Sequence, residues 1–205
     1  MTLPDKLAEA LGEPPVPEGT WDEEVVYVSA AALRRRLPAE DLAARVRELD
    51  GVAAVEIQGR GFLRIVLTEP SLDAEPAAVP CQPVWPDFPR TWDNPGFVVR
   101  YGHARACAVL RWAGQLGVGD GFAAAELSDR YHRRVLRVLA ELPGRVVSRE
   151  PGWEGYLLRL ALAYHDAHER APAVPVGDEE PGPVHAARVR VADVVRKVLP
   201  GPDRL

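Results

Sequence analysis

Residues 94–112 read NPGFVVRYGHARACAVLRW, and they decide the fold because they combine a helix start, an apolar face and an arginine-aromatic flank. Asn94 carries a side-chain oxygen that accepts from the first free backbone N–H groups of a helix. Pro95 occupies the first helical position, where a missing N–H costs nothing. At 100° per residue, Val98, Val99, Gly102, Ala106, Val109, Leu110 and Ala113 fall on one arc, which predicts the buried face. Arg100, His103 and Arg111 share a polar side. Phe97, Tyr101, Arg105 and Trp112 form a flank suited to stacking on a base or packing against a neighbour. The plainer reading of the same pattern is an ordinary amphipathic helix with a solvated arginine face.

Upstream of this helix the pattern changes. Residues 3–11 read as a short helix and residues 12–19, GEPPVPEG, as a loop. A strand is expected over 24–28. Ser29 is placed to cap a helix through AALRRRL, and Pro38 to open another through AEDLAARVREL, ending at the Asp50-Gly51 turn. Residues 52–57 and 62–67 alternate as two strands of a hairpin joined at QGRG. Prolines at 70, 76, 80, 83, 86 and 89 then crowd residues 69–90, where no regular hydrogen-bond ladder survives, so an extended, semi-stiff connector is expected. The fold class predicted is α+β, a small N-terminal α+β domain (1–68) followed by an all-α bundle (91–205).

With 205 residues and 47% hydrophobic content, the chain has enough apolar material for two modest cores. No run of about 18 apolar residues is present to span a bilayer, and residues 1–12 lack the pattern of a signal peptide, which makes the cytoplasm the expected location. Cys81 and Cys107 are the only thiols, too few for a disulfide framework.

The 94–112 helix resembles the one that opens the DALR-type anticodon-binding domain of arginyl-tRNA synthetases. There an Asn-Pro start leads into Tyr-x-His-Ala-Arg, here Tyr101, His103, Ala104 and Arg105. Residues 133–147, RRVLRVLAELPGRVV, look like the second helix of that domain with its Pro-marked exit. Residues 156–172, YLLRLALAYHDAHERAP, are similar to its third helix, and 185–199, HAARVRVADVVRKVL, to its closing one. Four helices in the family's order are more specific than any one of them. Residues 49–67 resemble the end of the additional N-terminal domain of the same enzymes, where a Gly-x-Gly-Phe turn joins two strands. In those enzymes the catalytic body lies between the two domains. Here the 69–90 connector stands in its place.

The resemblance implies a tRNA, of arginine type, as partner and the anticodon arm as the part bound. Tyr101 and Arg105 are expected to meet bases or the stem, Arg100 and Arg111 to meet phosphates, and Arg134 and Arg137 to extend the track. A synthetase or another protein is a further expected partner. Charge is distributed unevenly along the chain: residues 1–90 hold 9 basic and 16 acidic residues, net −7, and residues 91–205 hold 16 and 14, net +2. Arg130, Arg134 and Arg137 recur at helical spacing, able to line one side of a helix. In the first part, Arg34, Arg35 and Arg36 form a basic triplet that reads as an exposed helix end.

No catalytic role is expected. The His-x-Gly-His turn and the Lys-rich loop with which class I synthetases hold transferring phosphates do not occur, and neither does a P-loop or a paired-cysteine metal pattern. No cofactor and no metal are expected, although His165, Asp166, His168 and Glu169 make one cluster worth testing as a metal site. The chain therefore reads as a non-catalytic tRNA-binding protein. The alternative is a protein-interaction or regulatory module derived from an anticodon-binding domain.

Overall fold

The computed structural model describes residues 2–80, 84–86 and 88–201, and the chain divides into two compact units, Met1–Leu72 and Asp73–Leu205. Cys81, Pro83 and the closing Pro202, Asp203, Arg204 and Leu205 lie outside the described residues. The fold is α+β, with all strands in the first unit and the longer helices in the second.

Helix α1 (Leu3–Leu11) starts at Thr2, whose hydroxyl accepts from the Asp5 amide while the Asp5 carboxylate accepts from the Thr2 N–H, so each end satisfies the other. The strands β1 (Val16–Glu18), β2 (Val25–Ser29), β3 (Val52–Gln58) and β4 (Phe62–Leu67) form one antiparallel sheet in the order β1-β2-β4-β3. Helices α2 (Ala31–Arg35) and α3 (Ala39–Arg47) lie between β2 and β3 in sequence. Along β4, Leu63, Ile65 and Leu67 are buried with Leu7, Leu11, Leu42 and Val46 of the helices. Arg64 alternates to the other side, where it pairs with Glu24 and Glu56.

Two local expectations change. The stretch 12–19 is not all loop: Val16 pairs with Val28 as the start of an edge strand, a position where Pro17 is tolerated because an edge leaves N–H groups unused. Ser29 ends β2 rather than standing at the N-cap of α2, which is Ala30, but its hydroxyl still accepts from the Ala31 N–H at 3.0 Å. Of the basic triplet, Arg34 pairs with Glu13 and Arg35 donates to the Leu11 carbonyl, so two of the three hold the unit together.

The second unit contains α4 (Pro95–Gln115), a short 3-10 turn (Ala124–Glu126), α5 (Arg130–Leu139), α6 (Leu142–Val146), α7 (Trp153–Arg170) and α8 (Pro183–Val198). Helix α4 packs against α7 and α8, and α5 against α7. Within 133–147, read as a helix with a Pro-marked exit, α5 ends at Leu139 and a short α6 follows, in which Pro143, lacking an N–H, fits the first turn. On α4 the predicted face is buried at Val98, Val99, Gly102, Ala106, Val109 and Ala113, while Leu110 is half-buried. Gly102 sits where three segments meet. A Cβ there would lie 3.1 Å from Cδ1 of Leu199 and 3.3 Å from Cβ of Ala161.

Described residues between 73 and 90 lie along the helical unit. Trp85 is buried and donates from Nε1 to Glu154 of α7. Asn94 caps α4 by accepting from Gly96 N–H, and its amide donates to the carbonyls of Pro86 and Pro89. Lys197 donates to the Ala74 carbonyl and pairs with Glu75. Counted by these units, Met1–Leu72 holds 8 basic and 13 acidic residues, net −5, and Asp73–Leu205 holds 17 of each, net 0. The small positive balance of residues 91–205 is cancelled by Asp73, Glu75 and Asp87, offset by only one further cation, Arg90. Among the described residues no helix is long and apolar enough to cross a membrane.

Replacing Gly102 by Val forces two methyl groups into this junction, and overpacking of this kind costs roughly 1–3 kcal/mol. Thermal melts of the Gly102→Val protein should shift down by several degrees. An unchanged melting temperature would show that α4 can slide away from α7 without loss.

Candidate nucleic-acid interface

Phe97, Tyr101 and Arg105 recur every four residues and therefore lie one above the other on the flank of α4. Their rings stack: the Phe97 and Tyr101 centroids are 5.5 Å apart with planes 18° from parallel, and the Arg105 guanidinium carbon lies 4.5 Å from the Tyr101 centroid. Arg105 also donates to the Tyr101 hydroxyl at 2.9 Å. From α7, Glu169 pairs with Arg105 at 2.5 Å and Nδ1 of His165 lies 2.9 Å from the same guanidinium. The hydrogen bond and charge of Arg105 hold the Glu169 carboxyl below its usual range. For His168, burial and the charge of Arg105 push the imidazole below its ordinary value.

This arrangement answers the metal question raised by residues 165–169. The cation between His165 and Glu169 is Arg105. Among the described residues no group of three or more His, Cys, Asp or Glu side chains is arranged to hold a metal.

The remaining arginines fall in different places. Arg134 of α5 reaches Asp166 at 3.5 Å, so the C-terminal half of α7 is flanked by Arg105 on one side and Arg134 on the other. Arg137, one turn further along α5, joins a separate cluster in which Arg137, Arg145 and Arg159 all contact the single carboxylate of Glu141, at 2.6, 2.5 and 2.8 Å. Three guanidinium groups are thus gathered on one carboxylate. Burial would raise the Glu141 carboxyl, but the hydrogen bonds from Arg145 and Arg137 hold it below its usual range. Arg100 donates to the Pro86 carbonyl and is half-buried. Arg111 is exposed, about 9 Å along the axis from Arg105 and on another side of the helix. Of the six residues expected to touch RNA, the structure gathers Tyr101 and Arg105 tightly, sets Arg134 across α7 from them on Asp166, and leaves Arg100, Arg111 and Arg137 in other surroundings.

Trp92, Arg145 and Arg159 belong to these clusters but are not among the residues expected from the sequence. Trp92 precedes the N-cap of α4 and so stands outside its periodicity. Arg145 stands four residues past Glu141, itself four past Arg137, a spacing the sequence does show, whereas Arg159 on α7 is joined to them only by packing.

The geometry of α5 rests on its start. Asp129 caps it by accepting from the His132 N–H at 2.8 Å, and also contacts Nδ1 of buried His132 at 3.1 Å and Arg188 of α8 at 3.2 Å.

Comparison with known proteins finds Arginine–tRNA ligases among the relatives of this chain. The Arginine–tRNA ligase of Clavibacter sepedonicus is 40% identical over 117 residues, covering 54% of this chain and 21% of the relative. The Arginine–tRNA ligase of Frankia alni is 37% identical over 119 residues, again 54% of this chain and 21% of the relative. About half of this chain is synthetase-related. It spans about a fifth of the length of these relatives. No protein-family model matches the chain, and no solved structure does.

Burial alone would raise the Asp129 carboxyl, but the hydrogen bonds from the His132 ring and backbone, with the charges of His132 and Arg188, override it and hold the group far below the ordinary carboxylate range. A depressed folded-state value means that the stabilisation is fully present above about pH 4, the unfolded value, and is lost as pH falls below it. Asp129→Ala removes the cap and its pairs, costing roughly 1–3 kcal/mol at pH 7. Melts between pH 7 and pH 3 should show the gap to wild type narrowing in acid. A gap that stays constant would deny the ionised carboxylate its role.

Proposed function

We propose that this protein binds tRNA through its helical unit without itself aminoacylating it. The carrying observation is the stack of Phe97, Tyr101 and the Arg105 guanidinium along one flank of α4, in a chain of which about half is related to Arginine–tRNA ligases. Aromatic rings offer π-faces to bases, and guanidinium forks match phosphate oxygens in geometry and charge. Tyr101 and Arg105 belong to the base-facing part of the interface. Arg134, with the guanidinium groups gathered on Glu141, Arg137 among them, supplies phosphate contacts, and Arg100 and Arg111 extend them along α4. The anticodon arm is the part of the tRNA gripped, an arginine tRNA the natural partner, and the cytoplasm the place where it is met.

The reading as a binder rather than an enzyme rests on chemistry. Amino-acid activation places positive charge on the phosphates of ATP, and the His-x-Gly-His turn and Lys-rich loop that do so in class I synthetases do not occur in this sequence. The chain has only two lysines, Lys6 and Lys197, and the latter is held by Glu75 and Asp193.

A protein-interaction module is the second reading, favoured by the zero net charge of Asp73–Leu205 and by the number of its arginines already paired with acids. Salt separates the two. An RNA interface with about four phosphate contacts should lose roughly a hundredfold in affinity between 50 and 200 mM salt. A protein interface with an apolar centre responds far less. Filter binding of total tRNA at both salt concentrations, with wild type, Tyr101→Ala and Arg105→Ala, is the test. Saturable, salt-sensitive binding that weakens at least tenfold in both variants supports the tRNA reading; absence of binding at 50 mM salt refutes it.

A further inference from the structure

The aromatic cluster on α4 contains one ring whose position matches a ligand better than a neighbour. Tyr101 is enclosed: Phe97 stacks on it from one turn before, Arg105 from one turn after, and Trp92 meets it edge-on at 5.6 Å and 89°. No base can reach its face without displacing one of these. Trp92 is arranged the other way. It touches Phe97 at 79°, Tyr101 at 89° and the His165 ring at 47°, with centroids 5.8, 5.6 and 4.6 Å away, so none of these three neighbours stacks parallel to it. Half of its surface, 50%, remains in solvent. An indole held by two edge-on rings and one tilted ring, and half bare, is poised to take a further flat ring.

From this geometry we infer that Trp92 is the stacking platform for an unpaired nucleobase of the bound RNA, and that Phe97, Tyr101 and His165 position the indole rather than stack on the base themselves. This rests on the tRNA-binding reading and refines it, moving the base contact from Tyr101 to a residue outside the helix. Arg105 belongs to the same cluster, kept in place by Glu169 and the Tyr101 hydroxyl. The occupant is a base because the tRNA-binding reading supplies unpaired bases, and the indole shares its ring cluster with Tyr101 and His165, both of which meet the Arg105 guanidinium.

Stacking on an aromatic side chain contributes in proportion to the ring lost and releases no counterions. In the full-length protein, Trp92→Ala should weaken total-tRNA binding roughly ten- to hundredfold at every salt concentration, leaving the slope of log affinity against log salt unchanged. Trp92→Phe, which keeps a π-face, should recover most of that loss. Because Trp92 is half-exposed, melting curves of its variants should match wild type. Wild-type binding with an unaffected Trp92→Ala protein overturns this inference and leaves the tRNA reading standing. A Trp92→Ala loss that comes with a shallower salt slope also overturns it, since the indole would then be holding arginines in place. If wild type ignores tRNA at 50 mM salt, both readings fall together.

Discussion

The close approach of α4 to α7 at Gly102 is the constraint from which the rest of the helical unit follows. Packed helices ordinarily keep their axes 8–10 Å apart, with side chains filling the space between. Here a hydrogen atom faces the methyl group of Ala161, and Leu199, just past α8, closes the third side. That tight crossing fixes the rotation of α4. With Gly102 turned inward, Tyr101 and Arg105 are carried to the edge of the junction, within reach of His165 and Glu169 one helix away. A looser crossing would leave Arg105 to solvent and His165 and Glu169 without their cation.

The electrostatics of this unit are local. Seventeen basic and seventeen acidic residues give it no net charge, so it exerts little long-range pull on a polyanion. Its arginines are instead drawn into short-range arrangements, around Glu141, Glu169, Asp166 and Asp129. A carboxylate with one arginine is a structural pair. A carboxylate shared by three, as at Glu141, gathers guanidinium groups and presents them in a fixed geometry. A grip built this way depends on fit at contact distance, which suits recognition of a folded RNA better than capture of nucleic acid in general.

The long helices were legible because their apolar residues repeat with the helical period, and the hairpin because residues 62–67 alternate. The short strand β1 was hidden by Pro17, which reads as loop unless the strand is known to lie on an edge. The split between α5 and α6 was blurred by Leu142, Val146 and Val147, which continue the apolar pattern across the break. At the candidate interface, Tyr101 and Arg105 stood out since four residues separate them on one helix. Their partners on α7 are 60 or more residues away, and the Arg137–Glu141–Arg159 link spans three elements. Such groupings are created by packing, and a single helix period carries no trace of them. Trp92 lies outside any repeat, so only its contacts reveal it.

The residues between the strands and α4 do more than join them. Trp85 is buried against the helical unit, Asn94 ties the carbonyls of Pro86 and Pro89 to the helix start, and Lys197 of the last helix grasps Ala74 and Glu75. Entry to and exit from this module consequently lie side by side. A cut at residue 91 amputates part of its wall, whereas one near residue 73 keeps Ala74, Glu75 and Trp85 with the helices they touch. Adjacent ends allow a folded piece to be spliced within another polypeptide without stretching either flank, the property that lets modules migrate between genes.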